Sequence, residues 1–197
     1  MLTRQQANQI AENFWWRKGV ARITEFRWSM RAKGIAKQFA LFIPENSKVL
    51  DIGGGTGSIA KELSRITRAD FTLLDVVDWN ISDLPLVLFD GENIPFSDKE
   101  FDIALLLDVL HHSEKEEAVI SEAMRVAKKV IVLEEVHENR FMDIWANISD
   151  NFQWILFGMP WALHHRNEKE WVAFLKRFCS KIRHEKESFG HAIFTME

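Results

Sequence analysis

Two rhythms of apolar residues run along this chain. From residue 48 onward, short and nearly unbroken apolar runs alternate with stretches of helical spacing. Lys48–Ile52 (KVLDI), Phe71–Val77 (FTLLDVV), Phe101–Leu107 (FDIALLL) and Val130–Leu133 read as strands, and Pro85–Phe89 is a further short apolar run. Ser58–Ile66 and Glu114–Val126 read as helices between them. Strands with almost no polar face, alternating with helices, predict an α/β fold whose parallel sheet is covered on both sides. Ten residues separate Asp75 from Leu86. A parallel crossover ordinarily needs a dozen or more, so this one has room for about one helical turn, at Trp79–Leu84. Either the crossover is trimmed or Pro85–Phe89 is displaced.

The flanks differ from this middle. Thr3 with Gln6 resembles a capping box, Ala7, Ile10, Ala11 and Phe14 follow as a helical stripe, and Ile23, Phe26, Met30 and Phe39 suggest a second helix that stops near Pro44. Phe141, Ile144, Trp145, Ile148, Phe152, Ile155 and Leu156 share one helical face, ended by Gly158 and Pro160. That helix is either a lid over a substrate or an outer packing layer. Asn167 with Glu170 caps a helix carrying Trp171, Phe174, Leu175 and Phe178, and Lys181–Phe189 and His191–Met196 form a hairpin at Gly190. No repeat or linker interrupts the chain. It therefore reads as one domain, 1–197, with an N-terminal helical cap (1–43), a first α/β half (44–136) and a second half (137–197).

Composition narrows the class. The chain has 197 residues, is 47% hydrophobic and 27% charged, and carries a formal charge of -4. An acidic balance argues against nucleic acid as the main partner. One cysteine, Cys179, can make neither an internal disulfide nor a zinc site, and without a recognisable signal peptide the expectation is a cytoplasmic protein. No apolar run is long enough to cross a bilayer. A basic segment, Trp15–Lys37, holds seven basic residues and one acid. It reads as an amphipathic helix pair; the sharper reading is weak membrane-surface contact through Trp15, Trp16, Arg17 and Lys18.

Candidate chemistry begins at VLDIGGGTG, residues 49–57. A strand ending in a glycine turn before a helix lets the backbone approach a ligand and offers free amides at a positive helix end. Gly53, Gly55 and Gly57, with Gly54 between them, spell G-x-G-x-G rather than the dinucleotide fingerprint, which argues against a nicotinamide-dependent oxidoreductase. Asp51, two residues earlier, would repel a pyrophosphate and suit an ammonium group.

Asp51 with these glycines resembles the first motif of class I S-adenosylmethionine-dependent methyltransferases, and the likeness continues in order over roughly residues 44–197. It implies a Rossmann-like, doubly wound, mostly parallel seven-stranded sheet with a C-terminal antiparallel hairpin and N-terminal helices. Asp75, with Val76, stands where that family places an acid on the ribose hydroxyls. Asp90-Gly91, leading into Ile94-Pro95-Phe96 and Phe101-Asp102, looks like the adenine-side segment. Asp108-Val109, followed by Leu110-His111-His112, falls where members line the methionine part of the cofactor. His165-Arg166 ahead of Glu170-Trp171 is similar to a late segment of many small-molecule members. The implied cofactor is S-adenosylmethionine and the implied product S-adenosylhomocysteine. The implied activity is in-line methyl transfer to a small, partly apolar acceptor by a monomer or homodimer.

Three histidines are base candidates should the acceptor need deprotonation: His112, His111 and His165 in that order, with Glu134 behind them. Adjacent residues seldom face the same way, so at most one of His111 and His112 is expected to point into the site. No metal is expected, because Glu134, Glu135 and His137 lack a ligand spacing. The rival functions are a non-catalytic cofactor-binding subunit and a methyltransferase for a macromolecule or a membrane-borne lipid or quinone.

Overall fold

The computed structural model describes residues 32–136, 166–186 and 190–197. Its strands are β1 (Lys48–Ile52), β2 (Asp70–Asp75), β3 (Leu86–Leu88), β4 (Phe101–Leu107), β5 (Ala127–Glu135), β6 (Ile182–Lys186) and β7 (His191–Met196). Its longer helices are α1 (Ser58–Thr67), α2 (Glu116–Val126) and α3 (Glu168–Leu175). Residues 32–39 are also helical, followed by a 3-10 turn at Ala40–Phe42. The strands form one seven-stranded sheet in the order β3-β2-β1-β4-β5-β7-β6. Five strands run parallel, and β7 is antiparallel to both neighbours, β5 and β6. This is the mostly parallel sheet with a terminal antiparallel hairpin that the sequence predicts.

The apolar runs form strands because both faces of the sheet are covered. Leu50, Ile52, Ala104, Leu106, Val130 and Val132 join the core under α2 and α3. Their alternating neighbours Val49, Ile103, Leu105, Ile131 and Leu133 join the core under α1 and the 32–39 segment. With a side-chain period of two, a strand buried on both sides leaves few positions for a polar residue.

The connection from β2 to β3 differs from the expected helical turn. No helix forms at Trp79–Leu84, where the side chains of Asp78, Asn80 and Ser82 each take a backbone amide instead. Asp78 Oδ1 accepts from Asn80 N (3.1 Å), Asn80 Oδ1 from Ser82 N (2.8 Å) and Ser82 Oγ from Leu84 N (3.2 Å). Side chains of this kind compete with the helical ladder, and here three in alternation win. The crossover is thus trimmed but β3 is in place, paired with β2 at Leu73↔Leu86 through Asp75↔Leu88.

α3 carries the expected capping box: Asn167 and Glu170 each accept the other's backbone N–H, at 3.1 and 2.8 Å. Arg166 forks onto the buried Glu116 through two 2.6 Å bonds and lies over the rings of Trp171 and Phe174. It therefore ties α3 to the start of α2. The N-terminal helices up to residue 31, Trp15, Trp16, Arg17, Lys18, His137, the 141–156 stretch, His164 and His165 lie outside the described residues.

Candidate functional site

β1 sits at the switch point of the sheet: the chain winds outward from it through β2 and β3 on one side and through β4 and β5 on the other. In open parallel sheets the crevice beyond the strand ends at such a point is where ligands bind. Asp51, the glycine turn, Asp75 and Asp108 all lie at this end. The turn leaves β1 through Gly53 (φ 70), Gly55 (φ 53) and Gly57 (φ 74), all in the left-handed region, and Gly57 caps α1.

The glycines have different reasons to be there. A Cβ on Gly53 would stand 2.6 Å from Val109 Cγ2, and one on Gly57 2.5 Å from Ser82 Oγ. One on Gly54 would press on Leu73 and Asp51 at 3.0 and 3.1 Å. These three fit because the packing leaves no room for a side chain. Gly55 alone is open, with only Gly53 O at 3.9 Å from its Cβ position.

Asp75 holds this turn. Its Oδ2 accepts from Gly55 N (2.9 Å), and its Oδ1 accepts from Val76 N (2.7 Å) and Val77 N (3.3 Å). Burial raises its pKa and these amides pull it back, leaving it above the ordinary carboxylate value. Asp51 is buried beside it and accepts no hydrogen bond from the described residues. Burial first, and then the charge of Asp75, push its pKa up to about 7. Val76 and Gly91 face each other across the ends of β2 and β3, Val76 Cγ1 being 3.3 Å from a Cβ built on Gly91. Asp90 is turned onto its own loop. It accepts from Asn93 Nδ2 (2.9 Å), Asn93 N (2.7 Å) and Glu92 N (2.8 Å), which lower its pKa to about 2.

On the other side of β1, Asp108 leaves β4 in the left-handed region (φ 57), and its N–H donates to Leu133 O at 2.9 Å. Val109 follows and forms the wall against Gly53. Glu134, fully buried at the end of β5, accepts from Val109 N (3.1 Å), Leu110 N (2.6 Å) and His111 Nδ1 (2.5 Å). Burial opposes charge on His111, but Glu134, then Asp108 and Glu135, raise its pKa to about 9. Burial raises Glu134, and the charge of His111 draws it back. The pair therefore keeps a shared proton through neutral pH. His112 is half-buried, its ring 4.0 Å from that of His111 in the 3-10 turn Leu110–His112. The turn lays the two rings together while only His111 reaches Glu134. His165 lies outside the described residues. Sequence reasoning missed His191, at the start of β7, with Nε2 3.4 Å from Asp108 Oδ1 and 3.8 Å from Glu135 Oε1. Its only signal was a histidine opening a strand whose pairing partner lies far away in sequence.

Among the described residues, no helix is long and apolar enough to cross a membrane. Residues 50–131 match the family described as Methyltransferase domain. The Ubiquinone/menaquinone biosynthesis C-methyltransferase UbiE of Cupriavidus pinatubonensis is 31% identical over 131 residues, covering 58% of this chain and 51% of its own length. Its counterpart in Bordetella avium is 26% identical over 179 residues, covering 79% of this chain and 66% of its own. This chain thus spans roughly half to two thirds of the length of these relatives. A SAM-dependent methyltransferase structure from Aquifex aeolicus superposes with a TM-score of 0.60 at 18% identity, covering 84% of this chain and 88% of that one. The glycine turn at the switch point, the strand order and these likenesses agree: residues 50–131 resemble the methyltransferase domain family, and the fold is the one shared with solved S-adenosylmethionine-dependent methyltransferases.

Proposed function

We propose that this chain binds S-adenosylmethionine over the glycine turn and directs its methyl group onto a small, partly apolar acceptor. The carrying observation is Gly55, the one glycine of the turn whose Cβ position is open. The donor set fits the group. Asp51 is a buried carboxylate with no ion pair to a described residue and suits the cofactor's ammonium. Asp75 has lone-pair capacity beyond its three amides for ribose hydroxyls. Val76 and Gly91 offer an apolar slot for the adenine, with Asp90 setting the loop that carries Gly91. Gly53, Gly54, Gly57 and Asp108-Val109 shape the methionine end. The bound cofactor supplies a methyl group already activated on a cationic sulfur, so no protein nucleophile is required. The residues of this chain contribute position and a water-poor enclosure, and alignment alone can supply several kcal/mol.

The names of the relatives favour a quinone-type ring carbon as the acceptor. The match to the first of them covers 51% of its length. If a proton must leave the acceptor, His112 is the described candidate. His111 holds its own proton against Glu134 and is the poorer base, and His165 is the third candidate. Calorimetric titration with S-adenosylhomocysteine, with NAD and NADH as controls, tests the binding reading: micromolar binding of the first alone is expected. A nicotinamide signal without it overturns the assignment. Binding without transfer from labelled cofactor to any quinol or small phenol would favour the non-catalytic subunit.

A further inference from the structure

β4 ends in a residue that few side chains tolerate. Asp108 turns left-handed (φ 57), and this swings the next two amides, of Val109 and Leu110, out of any strand ladder. Left-handed backbone is unfavourable for a residue other than glycine, so the turn needs something to hold it. Glu134 does so. One of its oxygens accepts both amides, and the other accepts the imidazole of His111, so three consecutive residues converge on one fully buried carboxylate. The held turn carries Val109, whose methyls stand where a Gly53 side chain would be.

Resting on the reading that the glycine turn binds S-adenosylmethionine, we infer that Glu134 is a positioning residue of that site: with His111 as its counter-ion, it fixes the 108–111 turn and thereby the Val109 wall against Gly53. Glu134 touches no reacting atom in this scheme. It acts through the backbone it holds, as a buried carboxylate behind a binding loop commonly does. The charged and titratable groups around the pair are Asp108 from the end of β4, Glu135 from β5, His191 from β7 and His112 from the turn itself. Each of the three carboxylates here has a histidine within reach, and His111 is the one on Glu134, so loss of its proton leaves Glu134 as a buried charge without its cation.

The test uses the full chain and S-adenosylhomocysteine, titrated calorimetrically from pH 6.5 to 10, with the His111 ring followed by nitrogen NMR. In the parent, affinity is expected to rise as Asp51 ionises near pH 7 and to fall again as His111 deprotonates near pH 9. In Glu134→Gln, which keeps size but not charge, His111 is expected to titrate below pH 7. Affinity at pH 7.5 should then be weaker by about tenfold, in the range typical of lost outer-shell partners, with no alkaline limb. A folded Glu134→Gln with parental affinity and an unchanged alkaline limb overturns the inference. If that variant does not melt cooperatively, His111→Asn serves, because its amide can donate to Glu134 but does not titrate. It should bind without the alkaline limb, and persistence of the limb overturns the inference. Parent protein that takes up no S-adenosylhomocysteine overturns the inference together with the reading on which it rests, whereas a failure confined to the variants overturns the inference alone.

Discussion

The two sides of β1 present carboxylates in opposite states. Towards β2, Asp51 and Asp75 are buried next to each other and form no ion pair with a described residue. Amides hold Asp75, and the pKa of Asp51 climbs to about 7 for want of any such help. Towards β5, Glu134 is paired with His111, and His191 lies within 4 Å of both Asp108 and Glu135. One side is balanced by its own residues. The other is left short of a positive charge. A site for a cationic ligand is recognised by that shortfall rather than by the number of its acids, and the balanced side serves as the frame against which the ligand is held.

The largest effects should separate frame from receptor. Glu134→Ala leaves a buried imidazolium and two amides unpartnered and should destabilise the protein by about 3–5 kcal/mol in urea unfolding. Asp51→Asn should do the reverse of this in stability: without ligand, the variant should be as stable as the parent or more so at pH 8, while its affinity for S-adenosylhomocysteine drops at least ~10-fold, the change expected when one charge-assisted contact is lost. Equal destabilisation by both variants would break the comparison.

A smaller effect sharpens it through pH. The folded, ligand-free pKa of Asp51 is raised, so its ionised form is disfavoured by folding and favoured by a cation bound beside it. Binding at neutral pH should therefore release a proton, visible as a dependence of the calorimetric enthalpy on the buffer's ionisation heat. Affinity should weaken by up to ~10-fold for each pH unit below about 7. His111 behaves oppositely: with its pKa raised to about 9, its contribution to stability is complete below its unfolded value and is lost as pH rises through 9. The receptor side thus answers to acid and the frame side to alkali.

The smallest stability cost falls at the glycines. Gly55→Ala meets no atom closer than 3.9 Å and carries only the strain of φ 53, about 1 kcal/mol of stability, yet it should abolish detectable S-adenosylhomocysteine binding. Parental affinity in that variant would place the ligand elsewhere.

How much of this could be read from the sequence depends on distance along the chain. The strands were legible because a strand buried on both faces leaves few places for polar residues, as in FDIALLL, where Asp102 is the sole exception. The glycine turn was legible because its constraints lie within nine residues, 49–57. The missing helical turn at Trp79–Leu84 is not legible because Asp78, Asn80 and Ser82 act through side-chain bonds two residues long, which periodicity does not register. Asp90 was read as an adenine-side residue, and its visible bonds are those of a turn, the role its Asp-Gly pair also allows. Glu134 was noticed only as a reserve base, and His191 not at all. Their partners sit 23 residues away in one case and 56 or 83 in the other, and only the sheet order brings them together.

That order also bears on how the chain is made. β5 finds β4 at once but must wait through residues 136–190 for β7, its second neighbour. Until then a long edge of Val130, Ile131, Val132 and Leu133 stands open to any other strand in the crowd. Lys128 and Lys129 precede that apolar run and Glu134 and Glu135 follow it. Charges in those places discourage edge-to-edge pairing between nascent chains. The glutamate that accepts the amides of the Val109 turn in the folded sheet is thus also one of the charges that flank this edge.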